Sequence, residues 1–192
     1  MAQEIVLFHS ALGLRPAVRA FADRLRAAGH TVHTPDLFDG EVFDDLEAGV
    51  RKRDALGVPE LMGRAQAAVA NLPSQLVFAG FSMGTGAAEF LAATRPGARA
   101  AILMHGAFAP VEFGLAAWPA VPVQVHYAEN DPLVGVDQIR ALEATVRAAG
   151  APVEVYAYDR GGHLFEDAGW QGHAPEAAQL MLERVLAFLG RL

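Results

Sequence analysis

The stretch QLVFAGFSMGTGAAEFLAA, residues 75–93, joins two kinds of hydrophobic pattern across a glycine-rich turn. Gln75 to Ala79 is a short apolar run, which suits a strand buried on both faces. Met83 to about Thr94 carries small and apolar residues over a longer span, which suits a helix. Between them, Gly80-Phe81-Ser82-Met83-Gly84 fits G-x-S-x-G. When that pattern links a strand to a helix, it sets the serine on a sharp, strained turn with its hydroxyl exposed above a sheet. The steric logic is direct: a turn this tight needs small neighbours, which Gly80 and Gly84 supply, and Gly86 lets the helix approach the sheet. The helix start also offers free N–H groups and the positive end of its dipole. A phosphate-binding turn is the competing reading, but GFSMGTG lacks the G-x-G-x-x-G spacing of dinucleotide sites.

Working outward, the same rhythm of short strand and longer helix fills the chain. Glu4–Phe8 (EIVLF) predicts a buried strand. Pro16 opens an amphipathic helix through Ala28, closed by Gly29. Thr31–Thr34 is a second strand. Residues 38–53 are charged and weakly periodic, a lid or a set of short helices, and a helix follows from Pro59 to Ala70. Beyond the central motif come strands at Arg99–Met104, Val121–Tyr127 and Pro152–Tyr158, with helices at Val136–Ala149 and Pro175–Leu189. Residues 105–120 form a connection with no assigned conformation. This alternation predicts a three-layer α/β/α sandwich around a mostly parallel sheet of about six strands, in a single domain spanning residues 1–192.

A serine nucleophile needs a base, and the base needs an acid to orient it. For a strand–turn–helix serine the partners follow in the order acid, then histidine. Val121 to Asp131 (VPVQVHYAEND) is a strand ending in an acidic turn, which makes Asp131 the acid candidate and Glu129 its nearest rival. Tyr158-Asp-Arg-Gly-Gly-His163 places a histidine after the last strand, where a glycine pair frees the backbone to turn the imidazole inward. Asp131 and His163 both follow strands whose carboxyl ends line the expected crevice of an open α/β sheet. Of the seven histidines, His173 is the rival base. His9 and His105 follow strands near the presumed site and are candidates for its lining. His33 and His126 fall within strands and read as structural.

Composition removes several alternatives. There are no cysteines, so a thiol nucleophile, a disulfide framework and Cys-ligated metal are excluded. A net charge of −7 disfavours non-specific nucleic-acid binding. The start of the chain shows no basic leader with a long apolar core, so the expectation is a cytoplasmic protein with no membrane span. Expected partners are therefore small molecules, with the protein a monomer or homodimer.

The motifs GFSMG, AENDP and GGHLFED, in this order, resemble the dienelactone hydrolase family of the α/β-hydrolase superfamily. The resemblance covers nearly the whole chain. It implies a minimal α/β-hydrolase fold in which Ser82 is the nucleophile, His163 the general base and acid, and Asp131 its orienting partner. It places His9–Gly13 (HSALG) at the oxyanion loop and implies backbone donors from Met83 and Ala11. The implied activity is hydrolysis of a small ester, lactone or thioester through an acyl-enzyme, with no metal or organic cofactor. Two departures stand out. The enzyme that names the family carries cysteine where this chain has Ser82. That enzyme also has an arginine four residues after its histidine, to hold a substrate carboxylate. Here Asp167 stands at that place, beside Glu166, an acidic pair expected to repel a carboxylate. Candidates for an apolar pocket are His9, Leu12, Phe108, Phe113, Trp118, Leu133 and Leu164. A non-catalytic ligand-binding domain and an acyltransferase with the same three residues are the alternatives.

Overall fold

The run expected to be central does sit inside a six-stranded sheet. The computed structural model describes residues 1–192. Its strands are β1 (Glu4–Phe8), β2 (Thr31–His33), β3 (Val77–Phe81), β4 (Ala100–Met104), β5 (Val123–Ala128) and β6 (Val153–Tyr158). They lie in the order β2-β1-β3-β4-β5-β6, and every neighbouring pair is parallel. The sheet is thus wholly rather than mostly parallel. β3 starts two residues later than QLVFA suggests and runs through Gly80 and Phe81, which pair with Leu103 and Met104 of β4. Strand geometry therefore extends to the residue before Ser82.

Five helices cover the two faces: α1 (Pro16–Ala27), α2 (Leu46–Val69), α3 (Met83–Thr94), α4 (Val136–Ala148) and α5 (Pro175–Leu189). Alternate strand residues feed two separate cores, as the pleat requires. Ile5, Leu7, Ala79, Phe81 and Ile102 pack under α1 and α5. Val6, Phe8, Phe78, Leu103 and Val125 pack under α2, α3 and α4. Phe8, Phe78 and Phe81 are fully buried, each worth roughly 1.5–3 kcal/mol of burial. The face of β5 toward α5 breaks the apolar pattern with Gln124 and His126. Their side chains satisfy each other at 2.9 Å, and His126 Nδ1 accepts from the Tyr158 hydroxyl at 2.8 Å. Complete burial pushes His126 down to about 3, consistent with a neutral, structural ring.

The uncertain segments resolve as follows. Residues 46–69 are two helical segments that meet at Gly57, whose φ of 77° and ψ of 158° are not helical, two residues before Pro59. Asp45 caps the start of the first by accepting from the N–H groups of Glu47 and Ala48, the usual service of an Asp at this position. Residues 105–120 stay irregular apart from a 3₁₀ turn at Pro110–Phe113. No helix is long and apolar enough to cross a membrane.

Candidate active site

Ser82 stands between β3 and α3 with φ 50° and ψ −113°, a backbone conformation that costs a non-glycine residue roughly 1–3 kcal/mol. The turn survives because its neighbours have no side chains. A Cβ on Gly80 would lie 2.2 Å from the Gly84 carbonyl oxygen, and one on Gly84 would lie 2.6 Å from the carbonyl oxygens of Phe8 and His9. The Ser82 N–H is fixed by the Met104 carbonyl at 2.7 Å, and the Thr85 hydroxyl donates to the Ser82 carbonyl at 2.7 Å. Left-handed backbone gathers here: of the four non-glycine residues with positive φ, Ser82, His105 and Leu164 belong to this region. Strain concentrated in this way marks a site held in place by its surroundings.

His163 reaches Ser82 from the loop between β6 and α5. Its Nε2 accepts from the Ser82 hydroxyl at 2.8 Å, and its Nδ1–H donates to Asp131 Oδ2 at 2.6 Å. Asp131, in the turn after β5, is also fixed by the Leu133 N–H on its other oxygen at 3.0 Å. Burial alone would push Asp131 up, but the His163 hydrogen bond and charge outweigh it and hold the carboxylate below its usual range. An unbroken path therefore runs from hydroxyl to imidazole to carboxylate, with the geometry for drawing a proton off the serine. His105, Asp131 and His163 bring nitrogen and oxygen atoms within 4.8 Å of one another. Asp131 and His163 are committed to each other and His105 to Glu166, at 2.6 Å.

Ala11 and Met83 border the same cleft as Ser82 and His163. Met83 opens α3, so its N–H has no intrahelical acceptor. The Ala11 loop is pinned from several sides. The Ser10 hydroxyl accepts from the Leu12 N–H, the Leu12 carbonyl accepts from Phe43, and Gly49 of α2 packs directly on the Ala11 carbonyl.

The cleft above Ser82 has a volume of about 250 Å³. Phe108 and Leu133 line it, as expected. Phe113 does not; it backs Phe108 with ring centroids 5.8 Å apart. Four other expected lining residues lie elsewhere. His9 is fully buried below the loop, where Nδ1–H donates to the Ser10 carbonyl and Nε2 accepts from the Leu37 N–H. Burial, partly offset by that Ser10 bond, pushes His9 down. Leu12 and Leu164 belong to the core under α1 and α5. Trp118 belongs to the opposite core and donates its indole N–H to Val121. All four are apolar or aromatic residues close in sequence to the site, yet each turns away from it.

The missing wall comes from α2: Leu46, Val50 and Arg53. Their spacing of four and then three residues is one face of a helix, a signal present in the sequence. Phe108 is held by an unexpected residue. Glu89 of α3 accepts from its N–H at 3.0 Å, while the other Glu89 oxygen is buried without a partner. Burial, only partly offset by that bond, pushes Glu89 up to about 8.

The acidic pair after His163 is not the bare repulsive patch expected. Asp167 binds Arg15 at 2.7 Å, and Glu166 is paired with His105. His173, the rival base, bonds the Phe165 carbonyl instead. It lines a larger groove of about 630 Å³ between α1 and α5, which does not contain Ser82.

Comparison with known proteins agrees with this fold. The sequence pattern of the dienelactone hydrolase family matches residues 2–192. A dienelactone hydrolase-like promiscuous phosphotriesterase from metagenomic libraries superposes with a TM-score of 0.83 at 24% identity, over 99% of this chain and 86% of that one. A dienelactone hydrolase from Anabaena variabilis gives 0.67 at 21% identity, over 99% and 87%. A propionate-bound thermophilic esterase from Thermogutta terrifontis gives 0.68 at 18% identity, over 99% and 83%. No curated protein is a significant match to the chain.

Proposed function

The chain belongs to the dienelactone hydrolase family, and from that premise we propose that it is a serine esterase for small esters, lactones or thioesters. The observation that carries the proposal is the continuous hydrogen-bond chain Ser82–His163–Asp131 at 2.8 and 2.6 Å. Ser82 attacks the acyl carbonyl as its proton passes to His163. Asp131 fixes the imidazole tautomer and stabilises the imidazolium. The N–H groups of Met83 and Ala11 receive the oxyanion, where loss of one donor costs about 10²–10³ in kcat. His163 then protonates the leaving group, and water activated by the same imidazole releases the acid. The mechanism calls on no metal or organic cofactor. With no cysteine in the chain, a serine must do what a thiol does in the enzyme that names the family. Serine is the weaker nucleophile at its free pKa, so the His163–Asp131 pair carries more of the activation.

The cleft supports a small acyl group. Its volume of about 250 Å³ falls just below the roughly 300–1,000 Å³ of drug-sized ligand sites. Ala11, Leu46, Val50, Phe108 and Leu133 give it an apolar wall, and Arg53, Thr85 and Gln138 a polar one. A small-molecule substrate also fits a chain of net charge −7 better than a nucleic acid does.

An alkyl fluorophosphonate tests the nucleophile. The wild-type protein is expected to take up one equivalent at Ser82, and Ser82→Ala none. A wild-type protein that stays unlabelled at high probe excess would overturn the reading. Product analysis with and without added alcohols then identifies the acyl acceptor, water being expected.

A further inference from the structure

Glu89 is an acid that the proton path from Ser82 does not use. It is fully buried on α3, with one oxygen on the Phe108 N–H at 3.0 Å and the other without a partner. A carboxyl buried with so little compensation is costly, which draws attention to what it holds in place. It holds the backbone of Phe108, whose ring lines the cleft above Ser82. The ring is fixed on two further sides. Beneath it is Gly86, near the start of α3: a Cβ there would come within 3.3 Å of Phe108 Cε2, tighter than an ordinary contact. Behind it is Phe113, edge-on with centroids 5.8 Å apart, which in turn meets Phe90 of α3 at 6.1 Å. Gly86 thus makes room for an aromatic ring, where the sequence pointed to close packing of helix on sheet.

The position of His163 decides which part of a substrate this ring would meet. His163 arrives from the α1 and α5 side of the sheet, where its neighbours Leu164 and Phe165 are buried. Phe108 stands on the α3 side, against Gly86. His163 must reach the leaving oxygen to protonate it. The leaving group therefore lies toward His163, and the acyl chain runs away from it, toward Phe108.

We propose that Phe108 is the stop of the acyl pocket, a specificity-determining residue that sets the longest acyl chain the enzyme accepts, with Gly86 and Glu89 as the positioning residues that fix its ring. That role rests on the esterase reading of Ser82, His163 and Asp131. A loosely held side chain would yield to a longer substrate by changing rotamer. A ring pinned at Gly86, at Phe113 and through its own N–H does not. In a cleft of about 250 Å³ with such a wall, room for one methylene more or less changes turnover by roughly 10–200-fold.

Two substrate series test this. One keeps the p-nitrophenol leaving group and lengthens the acyl chain from acetate to octanoate; the other keeps acetate and varies the alcohol. Wild type is expected to favour the short acyl chains. Phe108→Ala and the milder Phe108→Leu are expected to raise the octanoate-to-acetate ratio of kcat/KM by at least about 10-fold, with the alcohol series unmoved. Glu89→Leu, which leaves the Phe108 N–H without an acceptor, is expected to raise the same ratio, while Glu89→Gln keeps an acceptor and the wild-type profile. Gly86→Ala, which drives the ring into the cleft, is expected to lower the butyrate-to-acetate ratio. An unchanged acyl-chain profile in both Phe108 variants, or a shift in the alcohol series instead, would overturn the proposal. Matching profiles in Glu89→Leu and Glu89→Gln would remove Glu89 from it. Fluorophosphonate labelling of Ser82 in every variant distinguishes the two levels of failure. A labelled protein with an unmoved profile counts against Phe108, whereas an unlabelled wild type counts against the esterase reading.

Discussion

Gly49 decides where a reactive carbonyl could sit, although it belongs to neither the motif nor the proton path. A Cβ at this position would stand 2.0 Å from the Ala11 carbonyl oxygen. That obstacle is backbone, so it cannot swing aside as a side chain would. Gly49→Ala is expected to push the Ala11 loop off the oxyanion position proposed for it and lower kcat by about 10²-fold, the scale of a lost oxyanion donor. The stability cost is expected to be about 1–3 kcal/mol, as for overpacking, read by urea unfolding beside steady-state kinetics. Gly63→Ala is the internal control, because open space surrounds that glycine in the second segment of α2. It is expected to leave kcat alone and add about 0.5–1 kcal/mol of stability. Gly80 and Gly84 could be read from the sequence because their clashes lie inside one five-residue motif. Gly49 could not, because its partner lies on a loop that only the tertiary fold brings near. The same distinction separates Asp131 and His163 from His9 and Leu12. The first two are placed by strand ends, while the orientation of the others depends on which way a short loop turns.

At the scale of an element, α3 carries both the serine and an acid buried beneath the cleft wall. Glu89 binds the Phe108 N–H, and its raised proton affinity comes first from burial. The sign of its effect on stability follows from linkage. The folded state keeps this proton up to about pH 8, while the unfolded chain releases it in the ordinary carboxylate range. Stability from this group is therefore full at low pH and is lost as pH rises through about 8. Glu89→Gln keeps an acceptor for Phe108 and has no proton to lose. Its melting temperature is expected to exceed that of wild type at pH 9 and to converge with it near pH 5. A parallel pH dependence in both proteins would show that Glu89 ionises freely in the fold. Element types themselves were legible wherever an apolar run or an amphipathic stripe was long. The second half of α2 was read as a helix from Pro59 onward, but the first half escaped because Gly57 and Pro59 interrupt the period and it read as charged and irregular. The stripe Leu46, Val50, Arg53 was present there but too short to stand out before the cleft gave it a purpose.

Across the whole molecule, one buried cation links segments that the sheet alone would leave independent. Arg15 precedes α1, yet its guanidinium binds Asp167 at 2.7 Å, Asp44 at 2.6 Å and the Phe43 carbonyl at 2.8 Å. These contacts tie the Ala11 loop, the approach to α2 and the loop that carries His163 into one unit. Three distant parts of the chain thus reach Ser82 in a fixed relation. No local pattern marks Arg15 for this task, since its partners are set by how the C-terminal ends of the strands gather. Asp44 is fully exposed at its side chain, whereas Asp167 is 8% exposed. The Asp167 pair should therefore dominate, exposed pairs being worth only about 0–1 kcal/mol. Arg15→Met strands a buried carboxylate and is expected to destabilise the protein by about 3–5 kcal/mol. Arg15→Met/Asp167→Asn removes the stranded charge, so its loss is expected to be smaller than the sum of the two single losses. Chemical denaturation of the four proteins measures that coupling. Strict additivity would mean that Arg15 and Asp167 do not act as a pair, and the loop bearing His163 would then owe its position to packing alone.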